Sequence, residues 1–196
     1  MLEGVYAPAE DSYLLLEEAL KRVKPGEGLV VEVGSGTGIV AVSLASSLCT
    51  EVVAIDVLPQ AALNTLINAD RMGVRHLVHV VQGDLISSLR RGACGTTLFN
   101  TPYLPVDERE EPAGWAWSGG RTGVEEALRL VEQAEKAGCK KLLLVSSSLA
   151  DLDSLRKCLE EAGFAHRVVS SRHFFFEDIV LLEAERLEAQ GGPSRA

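Results

Sequence analysis

A tetrapeptide of chemically specific residues, Asn100-Thr101-Pro102-Tyr103, directly follows a short apolar segment. Amide and exocyclic amino nitrogens are poor nucleophiles because their lone pair is delocalised into a π system. Two acceptors that hold both N–H protons orient such a nitrogen and favour the charge that develops on it during alkylation. The side-chain oxygen of Asn100 and the backbone carbonyl of Thr101 can be these acceptors, and the ring of Tyr103 can stack on a planar group. We predict that all four residues form a reaction site, although a plain strand-end turn also favours Asn and Pro.

A second set of residues is suited to holding a nucleoside cofactor. Gly34, Gly36 and Gly38 follow the apolar segment 29–33, and glycines let a backbone turn tightly and approach a ligand closely. Asp56 lies about twenty positions further on, at the end of the next apolar segment. Its carboxylate can accept hydrogen bonds from both hydroxyls of a ribose.

Three further residues complete the predicted cofactor site. Asp84 can accept from an adenine amino group, while the backbone N–H of Leu85 can donate to the ring. Glu32 can hydrogen-bond the glycine loop or the amino-acid part of a cofactor. Helix capping is the simpler alternative for Asp56 and Asp84. The third glycine comes one residue earlier than in the dinucleotide fingerprint, and the loop contains no Lys or Arg, so S-adenosylmethionine is favoured over NAD.

Strand-like and helix-like segments alternate along the chain, with the first helix expected to be capped by Asp11 or Ser12. This alternation predicts an α/β fold, a doubly wound, mostly parallel seven-stranded sheet with helices on both faces and a C-terminal antiparallel hairpin. Ligands of such sheets bind outside the carboxyl ends of the strands. The glycine loop, Asp56, Asp84 and Asn100 each follow a strand, so we expect them to meet there. The expected strands cover residues 29–33, 51–55, 77–81, 96–99, 140–146, 164–171 and 175–184.

The composition is that of a globular protein with an acidic surface. The chain has 196 residues, of which 46% are hydrophobic, and a net charge of −9. We expect a single domain over residues 1–186 and a disordered tail over residues 187–196. No apolar run approaches the length of a membrane span, so we expect no membrane partner and a cytoplasmic location. Proteins that grip nucleic acid need a basic patch to neutralise phosphates, so direct nucleic-acid binding is not expected.

The four cysteines stand far apart and form no Cys-x-x-Cys pair. We interpret them as reduced, mostly buried thiols of a cytosolic protein, and not as a disulfide framework. The four histidines show no ligand spacing either, so no metal site is expected. The cysteines are Cys49, Cys94, Cys139 and Cys158.

Motifs spread over nearly the whole chain carry a family resemblance. They are Tyr6-Ala7-Pro8-Ala9-Glu10-Asp11-Ser12, Glu32-Val33-Gly34-Ser35-Gly36-Thr37-Gly38, Asp56-Val57-Leu58-Pro59, Gly83-Asp84-Leu85, Phe99-Asn100-Thr101-Pro102-Tyr103 and Trp115-Ala116-Trp117-Ser118-Gly119-Gly120. Together they resemble the HemK-type protein glutamine methyltransferases. The resemblance is strongest to the short eukaryotic and archaeal branch, which modifies class I translation release factors.

The resemblance implies an S-adenosylmethionine-dependent N-methyltransferase. Its acceptor would be the side-chain nitrogen of the Gln in a Gly-Gly-Gln tripeptide of a release factor, held by Asn100. We count Asn100 among the cofactor-binding residues as well. The resemblance also implies a small zinc-binding activator subunit, and we expect no extra N-terminal helical domain because the Tyr6 motif begins almost at the start. The cofactor contacts it implies come from Ser12, Glu32, Gly34, Asp56, Asp84 and Leu85.

One residue departs from the family pattern. The family has Asn-Pro-Pro-Tyr, and Thr101 replaces the first proline. The acceptor at that position is a backbone carbonyl, so the group itself survives the change. Thr does not fix φ as Pro does, but Pro102 still favours an extended conformation for the residue before it. We expect activity to be retained, at a lower rate.

The third strand offers a surface for a partner. It reads Leu77-Val78-His79-Val80-Val81, without a guarding Lys or Pro, and lies at the sheet edge in the strand order usual for this fold. Unprotected apolar edges invite strand addition. We expect the activator subunit to pair there; the alternative is a helix that covers the edge.

Other functions remain compatible with the sequence. Adenine-N6 methylation of DNA or RNA presents the same planar amino geometry, but the acidic charge counts against it. A lysine acceptor would make poorer use of an aromatic stacking face. A non-catalytic subunit that binds S-adenosylmethionine, inactivated through Thr101, belongs to a different class.

Overall fold

The computed structural model of the protein describes residues 1–105, 118–174 and 176–187. Five helices and seven strands alternate along these residues, as the sequence pattern predicts, with ends that differ by a few residues from the predicted ones. In chain order they are α1 (Glu10–Arg22), β1 (Leu29–Val33), α2 (Ile39–Leu48), β2 (Val52–Asp56), α3 (Pro59–Arg71), β3 (Val78–Gln82), β4 (Cys94–Asn100), α4 (Glu125–Ala137), β5 (Lys141–Ser147), α5 (Leu152–Glu161), β6 (Phe164–Phe174) and β7 (Glu177–Arg186).

All seven strands form one sheet in the order β3-β2-β1-β4-β5-β7-β6. The first five pair in parallel, and β7 pairs antiparallel with both β5 and β6. The predicted fold class, including the C-terminal hairpin, is confirmed. From β1 the strands are added towards one edge of the sheet as far as β3, and from β4 they are added towards the other edge. The carboxyl ends of β1 and β4 therefore border a crevice, which is where ligands bind in such sheets.

Two hydrophobic clusters cover the two faces of the sheet. One packs α4 and α5 against the sheet around Leu130 and Leu144, and the other packs α1 and α2 against the opposite face around Leu15 and Leu44. The central strands are apolar on both faces, as strands buried between helices must be. The core therefore holds β1 and β4 rigidly, and their carboxyl ends carry the candidate site.

The start of α1 differs from the prediction. The helix begins at Glu10, Ala9 occupies the capping position, and no side chain caps the end. Asp11 and Ser12 lie inside the first turn and are buried, because their side chains bond to each other and to residues beyond the helix. They belong to the candidate site and do not cap the helix.

The prediction that all four cysteines are reduced is wrong for one pair. Cys94 and Cys139 form a disulfide across a Cα–Cα distance of 4.7 Å, although they are 45 residues apart in the chain. The parallel pairing of β4 with β5 brings the starts of these strands together, which spacing along the chain does not reveal. Cys49 and Cys158 are free, and Cys49 is exposed, not buried as predicted.

One prediction and part of one sequence motif fall outside the described residues. The expected disordered tail lies there beyond Leu187, and so do the two tryptophans of the loop that follows the Asn100 tetrapeptide. Within the described ranges, no helix is both long enough and apolar enough to cross a membrane.

Candidate active site

A pocket lies at the carboxyl ends of β1, β2 and β4. It collects most of the predicted cofactor residues, namely Ser12, Glu32, Gly34, Gly36, Asp56, Asp84, Leu85 and Asn100, together with Pro102 of the predicted reaction site. Gly38, Thr101 and Tyr103 are not among the lining residues. Apolar side chains such as Val33, Ile55 and Phe99 form much of the remaining wall. The pocket therefore combines an apolar surface with a few polar groups, as small-molecule sites do.

The glycine loop between β1 and α2 needs its glycines. The φ angles of Gly34, Gly36 and Gly38 are 65°, 55° and 78°. These positive values lie in the left-handed region, which residues with a Cβ atom rarely adopt. A Cβ atom at Gly38 would lie 2.7 Å from Cγ2 of Thr65. The loop therefore packs directly against α3, and a larger residue at position 38 would push the loop off that helix.

Polar residues of α3 hold the loop in place. The hydroxyl groups of Ser35 and Thr65 are hydrogen-bonded at 3.0 Å, and the side-chain amide of Asn68 donates to the carbonyl of Thr37 at 2.9 Å. Thr65 is fully buried. Sequence reasoning missed these two α3 residues, although polar residues on the apolar face of a helix were a signal for them.

Glu32 is bound to the start of α2. Its Oε2 accepts a hydrogen bond of 2.8 Å from the backbone N–H of Ala41, in the first turn of that helix. Burial raises the pKa of Glu32 to about 8, against the opposing effect of this hydrogen bond. The bond goes to the first turn of α2 and not to the glycine loop as predicted. Glu32 also lines the pocket, and its contact with a cofactor stays a prediction.

Asp56 lies at the end of β2 and connects the glycine loop to α3. Its two carboxylate oxygens accept from the backbone N–H groups of Gly36 and Leu58, each at 2.9 Å. Burial raises its pKa, and these hydrogen bonds oppose the rise. Each carboxylate oxygen has a second lone pair, so the group can hold the loop and still accept from a ligand hydroxyl.

Asp84 forms an ion pair that the sequence did not suggest. Arg129 of α4 donates to Asp84 Oδ2 and to Glu126 Oε2, both at 2.5 Å, and all three residues line the pocket. Oδ1 of Asp84 takes no part in this ion pair, and its bond to an adenine amino group stays a prediction. The next residue, Leu85, is buried and has a φ of 50°, which is unusual for a residue with a side chain.

Asn100 has the arrangement expected of a hydrogen-bond acceptor for a substrate. Its Nδ2 donates to Ser12 Oγ at 3.5 Å. Its Oδ1 is buried and has no hydrogen-bond partner in the part of the chain that the structure describes. A buried acceptor without a partner is costly, and at a functional site it indicates a ligand that satisfies it.

The residues after Asn100 are fixed from two sides. The backbone N–H and the hydroxyl of Thr101 both donate to the carbonyl of Val145, at 3.3 Å and 2.7 Å. On the other side, a Cβ atom at Gly119 or Gly123 would collide with the carbonyl oxygen of Pro102 or Tyr103. These glycines let the end of the loop pack directly on the backbone of the tetrapeptide.

Tyr103 is attached to α1. Its hydroxyl donates to Asp11 Oδ2 at 3.4 Å, and the hydroxyl of Tyr6 donates to the same oxygen at 3.2 Å. Burial, followed by the negative charge of Asp11, raises the pKa of both phenols, that of Tyr6 to about 12. Both therefore stay neutral hydrogen-bond donors at ordinary pH. That the ring of Tyr103 stacks on an acceptor stays a prediction.

The residues fit S-adenosylmethionine. The close approach of the backbone at the glycine loop, the carboxylates of Asp56 and Asp84, and the apolar wall match the amino-acid, ribose and adenine parts of that molecule. Asn100, whose Oδ1 has no hydrogen-bond partner among the described residues, lines the same pocket. The site can therefore hold a methyl donor and a planar amide together.

Comparisons with known proteins agree with this geometry. The chain is 31% identical over 189 residues to a protein of Methanocaldococcus jannaschii assigned to the protein N5-glutamine methyltransferases. This alignment covers 93% of this chain and 92% of that protein. It is 35% identical over 135 residues to the methyltransferase HEMK2 of Mus musculus, covering 62% of this chain and 60% of that protein. The chain spans 46% of the release factor glutamine methyltransferase of Moorella thermoacetica, with 33% identity. No family model matches.

The fold has a solved counterpart. One chain of the E. cuniculi Mtq2–Trm112 complex, which is described as responsible for methylation of the translation termination factor eRF1, superimposes with a TM-score of 0.71. The alignment covers 94% of this chain and 99% of that chain, at 24% identity. The match to the M. jannaschii protein extends over nearly the whole of both chains, and the site contains the family's motifs. This chain therefore belongs to the HemK-type protein N5-glutamine methyltransferases, a family of enzymes that use S-adenosylmethionine.

Proposed function

We propose that this protein methylates the side-chain nitrogen of the Gln in the Gly-Gly-Gln tripeptide of a class I translation release factor. The observation that supports the proposal best is that Asn100 lines the cofactor pocket and that its buried Oδ1 has no hydrogen-bond partner among the described residues. A primary amide offers two N–H protons, so it can satisfy this oxygen and a second acceptor together. The names of two relatives, release factor glutamine methyltransferase and N5-glutamine methyltransferase, point to the same acceptor.

The residues have separate tasks in this proposal. Asn100 Oδ1 and the carbonyl of Thr101 accept the two N–H protons of the glutamine amide and orient its nitrogen. The ring of Tyr103 packs on the plane of the amide. The glycine loop, Ser12, Asp56, Asp84 and Leu85 hold the cofactor, which supplies a methyl group from its sulfonium when bound. Orientation of the nitrogen and stabilisation of its developing charge account for the rate enhancement.

A methyl-transfer assay with labelled S-adenosylmethionine tests the proposal. The acceptors are a release factor with Gly-Gly-Gln, the same factor with Gln→Ala, and an adenine-containing oligonucleotide, each with and without the zinc-binding activator subunit. We expect label on the wild-type factor alone. Label on the oligonucleotide alone would contradict the proposal and favour adenine-N6 methylation, and label on both forms of the factor would indicate a different residue, such as lysine. A release factor acts on ribosomes, so we also propose a cytoplasmic location.

We further propose that a small activator subunit, of the zinc-binding kind, adds a strand to β3. This strand lies at the edge of the sheet. The N–H of Val52 donates to Leu77 O, and the N–H of Gly83 donates to Asp56 O. In a parallel pair, alternate residues direct both backbone groups to the neighbouring strand, so the odd-numbered residues face β2 and the even-numbered ones face the open edge.

Both outward groups of Val78 are already occupied. Its N–H donates to the carbonyl of Val74 at 3.2 Å. Arg75 Nη1 donates to the carbonyl of Val78 at 3.0 Å, so the edge is partly guarded by an arginine. Val80 and Gln82 direct their N–H and C=O groups to the open edge, where an incoming strand would pair. In the Mtq2–Trm112 complex a methyltransferase of the same fold is bound to a second subunit, which supports a two-chain assembly here.

A proline at position 80 tests this surface. Val80→Pro removes an outward N–H while it leaves the bonds to β2 in place, because proline is tolerated at edges. We expect co-purification with an activator subunit to be lost and the Kd for S-adenosylmethionine to stay unchanged. His79→Ala, which alters an exposed side chain of the same strand, is the matched control. Full activity and a monomeric state of the wild-type chain alone would contradict the proposal.

A further inference from the structure

Asp11 is the centre of a hydrogen-bond cluster beside the pocket. Its Oδ1 accepts from the backbone N–H of Ser12 at 2.6 Å and from the hydroxyl of Ser12 at 3.2 Å. Its Oδ2 accepts from the hydroxyls of Tyr6 and Tyr103, at 3.2 Å and 3.4 Å. Only 4% of Asp11 is exposed. Four donors thus converge on one buried carboxylate, which does not itself line the pocket.

The direction of these hydrogen bonds determines whether the hydroxyl of Ser12 can donate to a second neighbour or only accept from it. A carboxylate that receives four donors acts only as an acceptor, so the single hydroxyl proton of Ser12 is directed at Asp11. The oxygen of Ser12 then has only lone pairs left for its other neighbour. Asn100 is that neighbour, at 3.5 Å, so the group that faces Ser12 must be a donor.

This requirement selects one of the two orientations of the Asn100 amide. The oxygen and nitrogen of an asparagine side chain have nearly the same shape, and only hydrogen bonds decide which is where. With NH₂ facing Ser12, Oδ1 faces away from Ser12 and is left without a partner in the described part of the chain. The opposite orientation would place two acceptors against each other at Ser12. It would also present NH₂ to the NH₂ of an incoming amide.

We propose that Asp11 is a positioning residue, which acts through Ser12 to keep the amide of Asn100 turned with its oxygen towards the methyl acceptor. The inference rests on the proposed function for its consequence in catalysis, but its structural content does not depend on the identity of the acceptor. Asp11 also connects α1 to the tetrapeptide through Tyr103. A single carboxylate on α1 therefore determines whether the oxygen or the nitrogen of the Asn100 side-chain amide, at the end of β4, faces the methyl acceptor.

Nuclear magnetic resonance of the side-chain amides tests the structural part without any acceptor. The Asn100 NH₂ signals are assigned by their loss in Asn100→Ala. In Asp11→Ala the hydroxyl of Ser12 is free to rotate, and in Ser12→Ala it is absent. We expect both changes to shift the Asn100 signals and to speed their exchange with solvent. Tyr13→Phe, a change at the next and exposed residue of α1, is the control.

Two conservative variants separate orientation from charge. In Asp11→Asn the backbone N–H of Ser12 should still donate to the side-chain oxygen of residue 11. That oxygen therefore stays turned towards Ser12 and can accept from the Ser12 hydroxyl. Ser12→Thr keeps the hydroxyl. Both should keep the Asn100 signals near their wild-type positions. Unchanged signals in Asp11→Ala and Ser12→Ala, or equal effects of Asp11→Asn and Asp11→Ala, would overturn the proposal.

Turnover gives the second measurement. We expect Asp11→Ala to lower kcat by about 10- to 100-fold, the scale of a misplaced catalytic group. The Kd for S-adenosylhomocysteine, measured by calorimetry, should change much less than kcat, since Asp11 is outside the pocket lining and reaches it only through Ser12. Asp11→Asn should lose much less kcat. A loss in cofactor affinity equal to the loss in kcat would overturn the positioning role. If the wild-type protein labels no release factor even with the activator subunit present, the proposed function fails, while the amide signals still decide the orientation.

Discussion

The hydroxyl of Thr101 donates a hydrogen bond of 2.7 Å to the backbone carbonyl of Val145, on the neighbouring strand β5. Thr101 is the residue at which this chain departs from the Asn-Pro-Pro-Tyr pattern of its family. Proline restrains its backbone through its ring and has no N–H to donate, whereas Thr101 is held by two hydrogen bonds to one carbonyl. A bond to the sheet thus takes the place of the restraint that a proline ring provides, which favours retained activity, and the lower rate stays a prediction.

Removing the hydroxyl tests this replacement. Thr101→Val has the same shape but leaves a buried site without its donor, so we expect the free energy of unfolding to fall by about 1 kcal/mol. We also expect kcat to fall, because the carbonyl of residue 101 loses its fixed direction. Thr101→Ser keeps the hydroxyl and is the matched control. Equal unfolding midpoints and equal kcat for the Val and Ser variants would show that the bond restrains nothing.

Asn100→Ala should abolish methyl transfer and leave cofactor binding largely intact. The change removes Oδ1, which has no partner among the described residues, and loss of one preorganised hydrogen-bonding group that stabilises a transition state typically costs about 100- to 1000-fold in kcat. Single-turnover rates and the Kd for S-adenosylmethionine, measured on the same preparation, separate the two effects. Near-normal turnover would remove Asn100 from the mechanism.

Asp56→Ala should weaken the cofactor complex. The carboxylate holds the glycine loop through Gly36 and is placed to accept from ribose hydroxyls. Loss of a hydrogen bond to a charged group costs roughly 1.5–3 kcal/mol, which is about 10- to 150-fold in Kd. Calorimetric titration with S-adenosylmethionine measures the change, and Glu51→Gln, at an exposed position before β2, is the control. An unaltered Kd would assign Asp56 to loop structure alone.

Glu32 should make stability depend on pH. Its pKa is raised from 4.5 to about 8 by burial, so the folded protein keeps a proton that the unfolded chain releases. The stabilisation is complete below about pH 4.5 and is lost as the pH rises towards about 8. Glu32→Gln, which is neutral throughout, should show a smaller fall in Tm between the two ends of this range.

Two features make the Glu32 experiment specific. Gln at position 32 keeps an oxygen that can accept from the N–H of Ala41, so the helix contact survives. Glu27→Gln, at an exposed position, should leave the pH dependence as it is in the wild type. The same slope of Tm against pH in the wild type and in Glu32→Gln would contradict the assignment.

The disulfide between Cys94 and Cys139 should stabilise the protein by about 2–4 kcal/mol, because it restricts the unfolded chain. Dithiothreitol should lower the Tm of the wild type and leave that of Cys139→Ala unchanged. A thiol titration in denaturant should count the two free cysteines, Cys49 and Cys158, before reduction and all four afterwards. Four reactive thiols before reduction would show that the pair is not bonded in solution.

Several parts of the site could be predicted from the chain alone. The glycine loop, Asp56, Asp84 and Asn100 each follow an apolar segment, and in a parallel sheet the ends of such segments meet on one side. Their position depends only on the alternation of strands and helices, which is written in the periodicity of the sequence. The edge position of β3 followed in the same way from the strand order of the fold.

The partners of these residues could not be predicted. Arg129 meets Asp84 from 45 residues away, Ser12 meets Asn100 from 88 residues away, and Cys94 is bonded to Cys139. Each of these contacts depends on how two elements pack, and no local pattern encodes that. Asp11 is the clearest case, since a helix cap and a buried carboxylate that receives four bonds look alike in the sequence.

The sequence by itself determined the class of chemistry and the side of the sheet where it occurs, because strand-end residues share one location in any parallel sheet. Only the tertiary structure decided the direction in which the amide of Asn100 is turned and the carbonyl that holds Thr101. Hydrogen-bond polarity depends on distances of a few tenths of an ångström between distant parts of the chain. Those distances exist only after the helices have packed on the sheet.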